Sequence, residues 1–346
     1  MALYLYPFLV ALAVAFLVTP VMKKVAFRVG ALTQPGPRSI HKEPTPHLGG
    51  VAIFVAFAVS AMLFVRDPSV EVLGILVAGG ILLAVGIVDD FRPLSPKMKL
   101  LGQVVSALVF VLGYGVRIEF VTNPFGGMIL LRNMSSVFTV IWIVAFANVI
   151  NLIDGIDGLA AGVASIAATS LLFVAMQQGQ GAVVALTAAL AGSALGFLRY
   201  NFNPAKIFMG DAGAMFLGFA LAAVSIEGTL KSAAAVAVVV PVMALGLPIF
   251  DTCFAIVRRV SNGHSIGQAD RGHLHHRLLD MGFSQRQACF VMYALSAFLG
   301  LAAVMMSVVR ARDAVFIVGF AGIVVLALAH RAGVLDIRDT KSAAKQ

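Results

Sequence analysis

The chain has 346 residues, 60% of them hydrophobic and only 12% charged, with a formal net charge of +9 and a mean hydropathy of +0.97. An ordinary soluble domain carries about 25% charged residues, which excludes a soluble globular protein and indicates an integral membrane protein, all-α by the length of the apolar runs below. The two cysteines, Cys253 and Cys289, provide neither a disulfide framework nor a metal-ligand spacing, and the basic residues lie in short loops rather than in a nucleic-acid-binding patch.

The first apolar run, 3–22, has no basic segment before it and is followed by Lys23 and Lys24. A cleaved signal peptide would carry its charge first and be shorter, so a retained span with its N-terminus outside is expected. Further runs lie near 48–65, 72–88, 100–116, 136–152, 159–176, 182–198, 212–228, 232–257, 288–308 and 314–330. A bilayer is crossed by roughly 20 residues of helix, so these runs predict eleven transmembrane helices in one polytopic domain, 1–346. Pro241 and Pro248 in the long ninth run predict a kinked helix, with Asp251 to Arg259 as a separate helical end. Assigning loops to alternate sides places 19 Lys and Arg on one side and 6 on the other. The positive-inside rule then puts the first set, with the C-terminal tail 332–346, in the cytoplasm. On the other side, Asn123-Pro124-Phe125-Gly126-Gly127 between β-prone residues predicts a small hairpin.

The unusual polar residues gather in the loops of the basic side: 23–47, 89–99, 148–158, 199–213 and 258–287. Within 148–158, Asn148, Asn151, Asp154 and Asp157 recur every third residue, which keeps them on one slowly drifting helical face. Ionisable groups at a membrane boundary are costly and mark a functional site by default, although a polar junction between helices is the alternative. Asp89 and Asp90 close the third span. Carboxylates there face the negative end of a helix dipole, and adjacent helical residues point about 100° apart, so two different tasks are expected of them. A solvated loop start is the alternative. Arg92, Lys97 and Lys99 follow, placed to neutralise them or to bind an anion.

Asp211, between glycines at the start of the eighth span, reads alone as a helix cap. With Asn151 on the same side it becomes a candidate Mg²⁺ ligand, because Mg²⁺ takes one or two protein oxygens and leaves room for substrate phosphates. His273, His275 and His276 with Arg271 and Arg277 suit phosphate better than zinc. Arg38, His41 and Lys42 precede Gly49-Gly50, a pair suited to close packing or backbone approach to a ligand.

In order and spacing, four motifs resemble those of the polyprenyl-phosphate N-acetylhexosamine-1-phosphate transferases of the glycosyltransferase family 4 type. They are Asp89-Asp90, the Asn-x-x-Asn-x-x-Asp-Gly-x-Asp-Gly of 148–158, the Phe-Met-Gly-Asp-x-Gly of 208–213 and the His-Leu-His-His of 273–276. The nearest likeness is to the undecaprenyl-phosphate GlcNAc-1-phosphate transferases of O-antigen, enterobacterial common antigen or teichoic acid synthesis. The resemblance implies Asp89, Asp90 and Asp211 as catalytic residues, and Asp211 with Asn151 as holders of Mg²⁺, which Mn²⁺ can replace. It implies substrate binding by Asn148, Asp154, Asp157, His41, Lys42, Lys99, Arg271, His273, His275 and His276.

The donor would be a UDP-N-acetylhexosamine, the acceptor undecaprenyl phosphate, and the setting the bacterial inner membrane with the site facing the cytoplasm; a homodimer is compatible with the family. Another UDP-HexNAc, or the phospho-MurNAc-pentapeptide reaction of the peptidoglycan branch, is the alternative within the class. A transporter for an anionic solute is the alternative outside it, but it would place ionisable groups near the midplane and carry internal repeats, and neither is apparent. Three departures are present: Ala214 where Ser is usual, Thr33 for a common Asp, and Ser39 for a common basic residue.

The charge split predicts a cytoplasmic C-terminus. In a variant with Cys253 and Cys289 replaced by alanine and Ser342→Cys added, a membrane-impermeant maleimide should label only after lysis; labelling of intact cells would reverse the topology.

Overall fold

Apolar runs of this length can satisfy their backbone groups inside a bilayer only as helices or as a closed barrel, and helices are what form. The computed structural model describes residues 2–34, 44–65, 70–122, 128–230, 239–261, 263, 272–309 and 311–331. Its helices are α1 (Ala2–Val29), α2 (Gly49–Phe64), α3 (Val70–Phe91), α4 (Pro96–Leu108), α5 (Ser135–Ile153), α6 (Leu159–Gln177), α7 (Gly181–Asn201), α8 (Gly210–Leu230), α9 (Val239–Ala244), α10 (Gly246–Ser261), α11 (Leu274–Asp280), α12 (Gln285–Met306) and α13 (Ala311–Arg331). A π-helical turn, Val109–Gly113, prolongs α4.

Among the described residues, nine helical segments are long and apolar enough to cross a membrane. The expected count was eleven. The difference lies in α2, which has 16 residues, and in the ninth run, of which 232–238 lie outside the described residues and the remainder bends at Leu245 between α9 and α10. Pro248 falls in the first turn of α10, where a missing N–H costs little.

Two loop boundaries also differ from expectation. Ser95 caps α4, accepting from the Met98 N–H, and Pro96 starts the helix, so Lys97 and Lys99 stand on a helix instead of in a loop 89–99. The expected loop 258–287 contains the end of α10, all of α11 and the start of α12. Outside the helices, β3 (Phe120–Thr122) pairs antiparallel with β4 (Met128–Leu130), the expected hairpin, whose turn 123–127 lies outside the described residues. A second pairing, β1 (Leu32–Thr33) with β2 (Thr45–Pro46), was not anticipated.

α8 is the central helix: 89% of its spanning window is buried, against 22% for α1 and 17% for α13. Its Phe216 meets Phe54 and Phe57 edge-on, and its Phe219 meets Phe110. Small residues let the neighbours close in, as they do generally between membrane helices. A Cβ on Gly86 of α3 would come within 2.2 Å of the Ala212 Cα, and one on Gly50 of α2 within 2.3 Å of the Gly213 nitrogen. A Cβ on Gly218 would come within 2.4 Å of the Phe146 carbonyl oxygen on α5. The chain entering α2 also pairs with the chain entering α8. Gly49 and Gly50 donate to the Phe208 and Met209 carbonyls at 3.0 and 2.9 Å, and the Phe208 N–H donates to the Pro46 carbonyl at 2.8 Å. Gly49-Gly50 therefore serves close packing.

Because Gly86 faces backbone that has nowhere to move, Gly86→Ala should destabilise the protein by about 1–3 kcal/mol. Gly319→Ala, with open space at its Cβ position, should leave stability unchanged or slightly raised. Thermal unfolding in detergent compares the two; equal midpoints would contradict the tight α3–α8 contact.

Candidate active site

Burial of α8 beside α3 sets the end of one helix against the start of another. Asp90, in the last turn of α3, accepts from the Asp211 N–H at 2.8 Å and more weakly from Ala212 at 3.5 Å. It thus caps α8 from outside, and the positive end of the α8 dipole offsets the unfavourable position at the end of its own helix. Gly210, at φ +70°, makes the approach possible, since a Cβ there would sit 2.2 Å from Asp90 Oδ2.

Asp89 points elsewhere. Buried at 7% exposure, it accepts from the Leu94 N–H at 2.7 Å through Oδ1 and meets the Lys99 ammonium at 2.6 Å through Oδ2. Lys99 lies 2.6 Å from Asp211 Oδ2 as well. One ammonium on α4 therefore clasps a carboxylate from α3 and another from α8. Lys99 and Asp211 keep about a third of their side-chain surface, whereas Asp89 keeps 6%. A ligand can reach the first two only.

The polar face of α5 reaches the same place. Asn148 donates to Gln103 Oε1 at 2.6 Å and to the Val144 carbonyl at 2.8 Å, while Gln103 donates back at 3.3 Å and to the Met215 sulfur at 3.4 Å. α5 runs antiparallel to α8, with Phe146 and Ala147 beside Gly218 and Asn148 joined through Gln103 to Met215. One further turn sets Asn151 beside the start of α8. Among the described residues its carboxamide makes no hydrogen bond, whereas that of Asn148 is fully engaged.

Asp154, just past the end of α5, feels the charges of Asp211 and Asp157, and burial with those charges pushes its carboxyl up to about 7. Asp157 is spent on structure: its Oδ2 accepts from Asn203 Nδ2 at 3.0 Å and from the Ala205 N–H at 2.9 Å, clamping the 202–206 turn, and its carbonyl accepts from Cys289.

The histidine motif closes the far side. His273 stands before α11 with Nδ1 at 2.9 Å from Asp251 Oδ2, and Asp251 Oδ1 accepts from the Leu274 N–H at 2.8 Å. Asp251, on α10 and 1% exposed, is the anchor that the sequence reading passed over; its one signal is a lone carboxylate on an apolar helix after Pro248. His275 lies between His273, on which it stacks at a ring distance of 5.7 Å, and His276, whose ring is tilted against it at 4.3 Å. A Cβ on Gly155 would lie 2.4 Å from its Nε2, so Gly155 admits the ring to the 154–158 loop. Burial, with the neighbouring imidazoles, drops the His275 pKa to about 3, which keeps the ring neutral at any working pH. His41, Lys42 and Arg271 lie outside the described residues.

The structure therefore gathers Asp89, Asp90, Lys99, Asp211, Asn148, Asn151 and Asp154 at one end of the bundle, with the histidines of α11 against the loop that follows. Among the described residues no cluster of three His, Cys, Asp or Glu could enclose a metal. What is available is a partly exposed Asp211 carboxylate and the unused Asn151 carboxamide, oxygen donors that suit a hard cation keeping most of its coordination for water and phosphate. The donor set fits Mg²⁺ on those terms.

A polytopic helical membrane protein with a carboxylate-rich site at one end of its bundle is the class so defined. Residues 72–229 match the family model of glycosyl transferase family 4. A probable undecaprenyl-phosphate N-acetylglucosaminyl 1-phosphate transferase of Bacillus subtilis (strain 168) is 36% identical over 300 residues, covering 86% of this chain and 84% of its own. A decaprenyl-phosphate N-acetylglucosaminephosphotransferase of Mycolicibacterium smegmatis is 33% identical over 317 residues, covering 82% and 77%. An undecaprenyl-phosphate alpha-N-acetylglucosaminyl 1-phosphate transferase of Salmonella typhi is 28% identical over 281 residues, covering 80% and 76%. The chain belongs to glycosyl transferase family 4.

The raised pKa of Asp154 has a sign that can be checked. A carboxyl whose folded pKa lies above its unfolded value of 3.8 destabilises the fold progressively as pH climbs from about 4 to about 7. Asp154→Asn should raise the unfolding temperature at pH 8 and leave it nearly unchanged at pH 4. An equal shift at both pH values would mean that the charge on Asp154 is not what the fold resists.

Proposed function

We propose that the protein transfers N-acetylglucosamine 1-phosphate from UDP-GlcNAc to undecaprenyl phosphate and releases UMP, as the first membrane step of a cell-surface polysaccharide. The relatives named for this transfer support the reading, and the observation that carries it is the Lys99 clasp between Asp89 and Asp211. An oxygen of the lipid phosphate bonds to the phosphorus that bears the sugar, and the bond from that phosphorus to the oxygen of UMP breaks. A lipid phosphate with a second pKa near 6 is already largely dianionic at neutral pH, so the reaction needs little base catalysis. Its obstacle is repulsion between two anions, overcome by charge neutralisation and alignment.

The side chains divide that work. Lys99 presents a cation at the site mouth, drawing in the acceptor phosphate, and Asp89 holds the ammonium from its buried side. Asp90 fixes the first turn of α8, so Asp211 is presented in one orientation. Asp211 and Asn151 would hold Mg²⁺, which supplies Lewis-acid neutralisation of the diphosphate when bound. Gln103 locks Asn148, which keeps the α5 face and its Asn151 in register. Asp154 and the loop under His275 form the wall against which the nucleoside end lies, and His276 with Arg271 offers donors to the diphosphate. Eleven crossings, an external N-terminus and a cytoplasmic site in the bacterial inner membrane complete the reading, supported by the 19-to-6 distribution of Lys and Arg.

Purified protein given UDP-GlcNAc, undecaprenyl phosphate and Mg²⁺ should release UMP over many turnovers; a transporter would release none. Asp211→Asn should cut turnover by about 10²–10³-fold, the range for losing one electrostatic contact to the transition state, and should raise the Mg²⁺ concentration needed for half-maximal rate. Asp157→Asn should lower the unfolding temperature and leave that Mg²⁺ dependence alone. A parental rate and Mg²⁺ response in Asp211→Asn would reduce Asp211 to a helix-start residue.

A further inference from the structure

At the same end of the bundle, α7, the 202–206 turn and the start of α12 enclose a second concavity of about 490 Å³. It shares Asn203 with the Asp157 clamp, yet none of Asp89, Asp90, Lys99 or Asp211 lines it. Its lining is two-sided: Leu195, Leu198 and Phe202 are apolar, while Arg199, Lys206 and Arg286 are cationic and exposed, and no carboxylate lines it. Arg286 is held in place by its Nε, which donates to the Asn203 carbonyl at 2.9 Å. Asp157, which shares Asn203 with the pocket, already accepts from Asn203 and Ala205. Among the described residues, none of the three cations has an ion-pair partner.

α7 qualifies as a membrane span and ends at Asn201, so the pocket lies where hydrocarbon gives way to water. Leu195 is 41% exposed one turn before Arg199, and Phe290 is 60% exposed one turn after Arg286. Both leave apolar surface directed outward on the hydrocarbon side of a cationic rim. A free anion would have no use for that apolar surface, and a neutral lipid none for three cations in a lining without a carboxylate. From this juxtaposition we propose that the pocket binds an anionic phospholipid of the surrounding membrane, its phosphodiester between Arg199, Lys206 and Arg286 and the upper part of an acyl chain along Leu195 and Phe290. Guanidinium forks suit phosphate oxygens, and lipid-facing cations of this kind each favour an anionic headgroup by roughly a factor of five.

Native mass spectrometry of the detergent-purified chain with short-chain phosphatidylglycerol, and separately with phosphatidylcholine of the same chain length, tests the assignment. Phosphatidylglycerol should be retained as a discrete adduct in preference to phosphatidylcholine. In the Arg199→Gln/Lys206→Gln/Arg286→Gln variant its affinity should fall by about a hundredfold, three such factors together. Excess inorganic phosphate should not displace the lipid; displacement at millimolar phosphate would make this a free-anion site. Equal retention of the two lipids, or an undiminished adduct in the triple variant, would overturn the proposal. So would a triple variant that binds phosphatidylglycerol as before but needs more undecaprenyl phosphate for half-maximal UMP release, because the cations would then serve the acceptor.

Discussion

The capping of α8 by Asp90 is the contact on which the site depends. A carboxylate at the end of α3 would be repelled by the carbonyl end of its own helix. Placed against the first amides of α8, it becomes a hydrogen-bonded bridge between two antiparallel helices. The bridge requires three absences of a side chain: Gly86, which lets α3 reach Ala212; Gly210, which gives way to the carboxylate; and Gly50, which brings α2 against Gly213. With those in place, Asp211 and Asp89 come close enough for one lysine to serve both. Two buried or partly buried carboxylates sharing one cation leave a local excess of negative charge, and that excess is what a divalent ion or a further cation would relieve.

The residues of the 148–158 motif have separate tasks despite their regular spacing. Asn148 and Asp157, at its two ends, are tied into the fold by Gln103 and by the 202–206 turn. Asn151 and Asp154, between them, retain accessible surface and few protein partners. The ends hold the middle in position, an arrangement suited to chemistry that needs preorganised charge. His275 does the equivalent on the opposite wall: stacked on His273, neutral and seated over Gly155, it shapes the loop without contributing charge.

Much of this could be read from the residues alone. Membrane class, most of the spans and the gathering of Asp89, Asp90, Asp154 and Asp211 at one end follow from apolar run length and from the cost of charge at a bilayer boundary. The partners of those residues were not legible, because they are distant in sequence and ordinary in type. Gln103, Asn203 and Asp251 carry no pattern; they matter only once α4, the 202–206 turn and α10 have been brought alongside. The placement of Asp90 at a helix end looked purely costly in one dimension, since the helix that compensates it begins 120 residues later. Lys99 looked like a loop residue because the apolar run begins at Leu100, while the Ser95 cap and Pro96 start the helix four residues earlier.

The close backbone contact of α2, α3, α5 and α8 has a consequence for the surrounding membrane. Helices joined through Gly50, Gly86, Gly213 and Gly218 cannot slide or tilt against one another without backbone collision. When a span and a bilayer differ in thickness, the strain is taken up by tilting or by deforming the lipid. Here tilting is open mainly to the outlying α13, because α1 is tied to α7 by the same close approach, a Cβ on Gly192 or Gly196 meeting the Phe8 or Leu12 carbonyl. A change of lipid length should therefore reorient the periphery and leave the geometry among Asp89, Lys99 and Asp211 untouched, so that one arrangement of these charges can persist across membranes whose fatty-acid composition shifts with temperature.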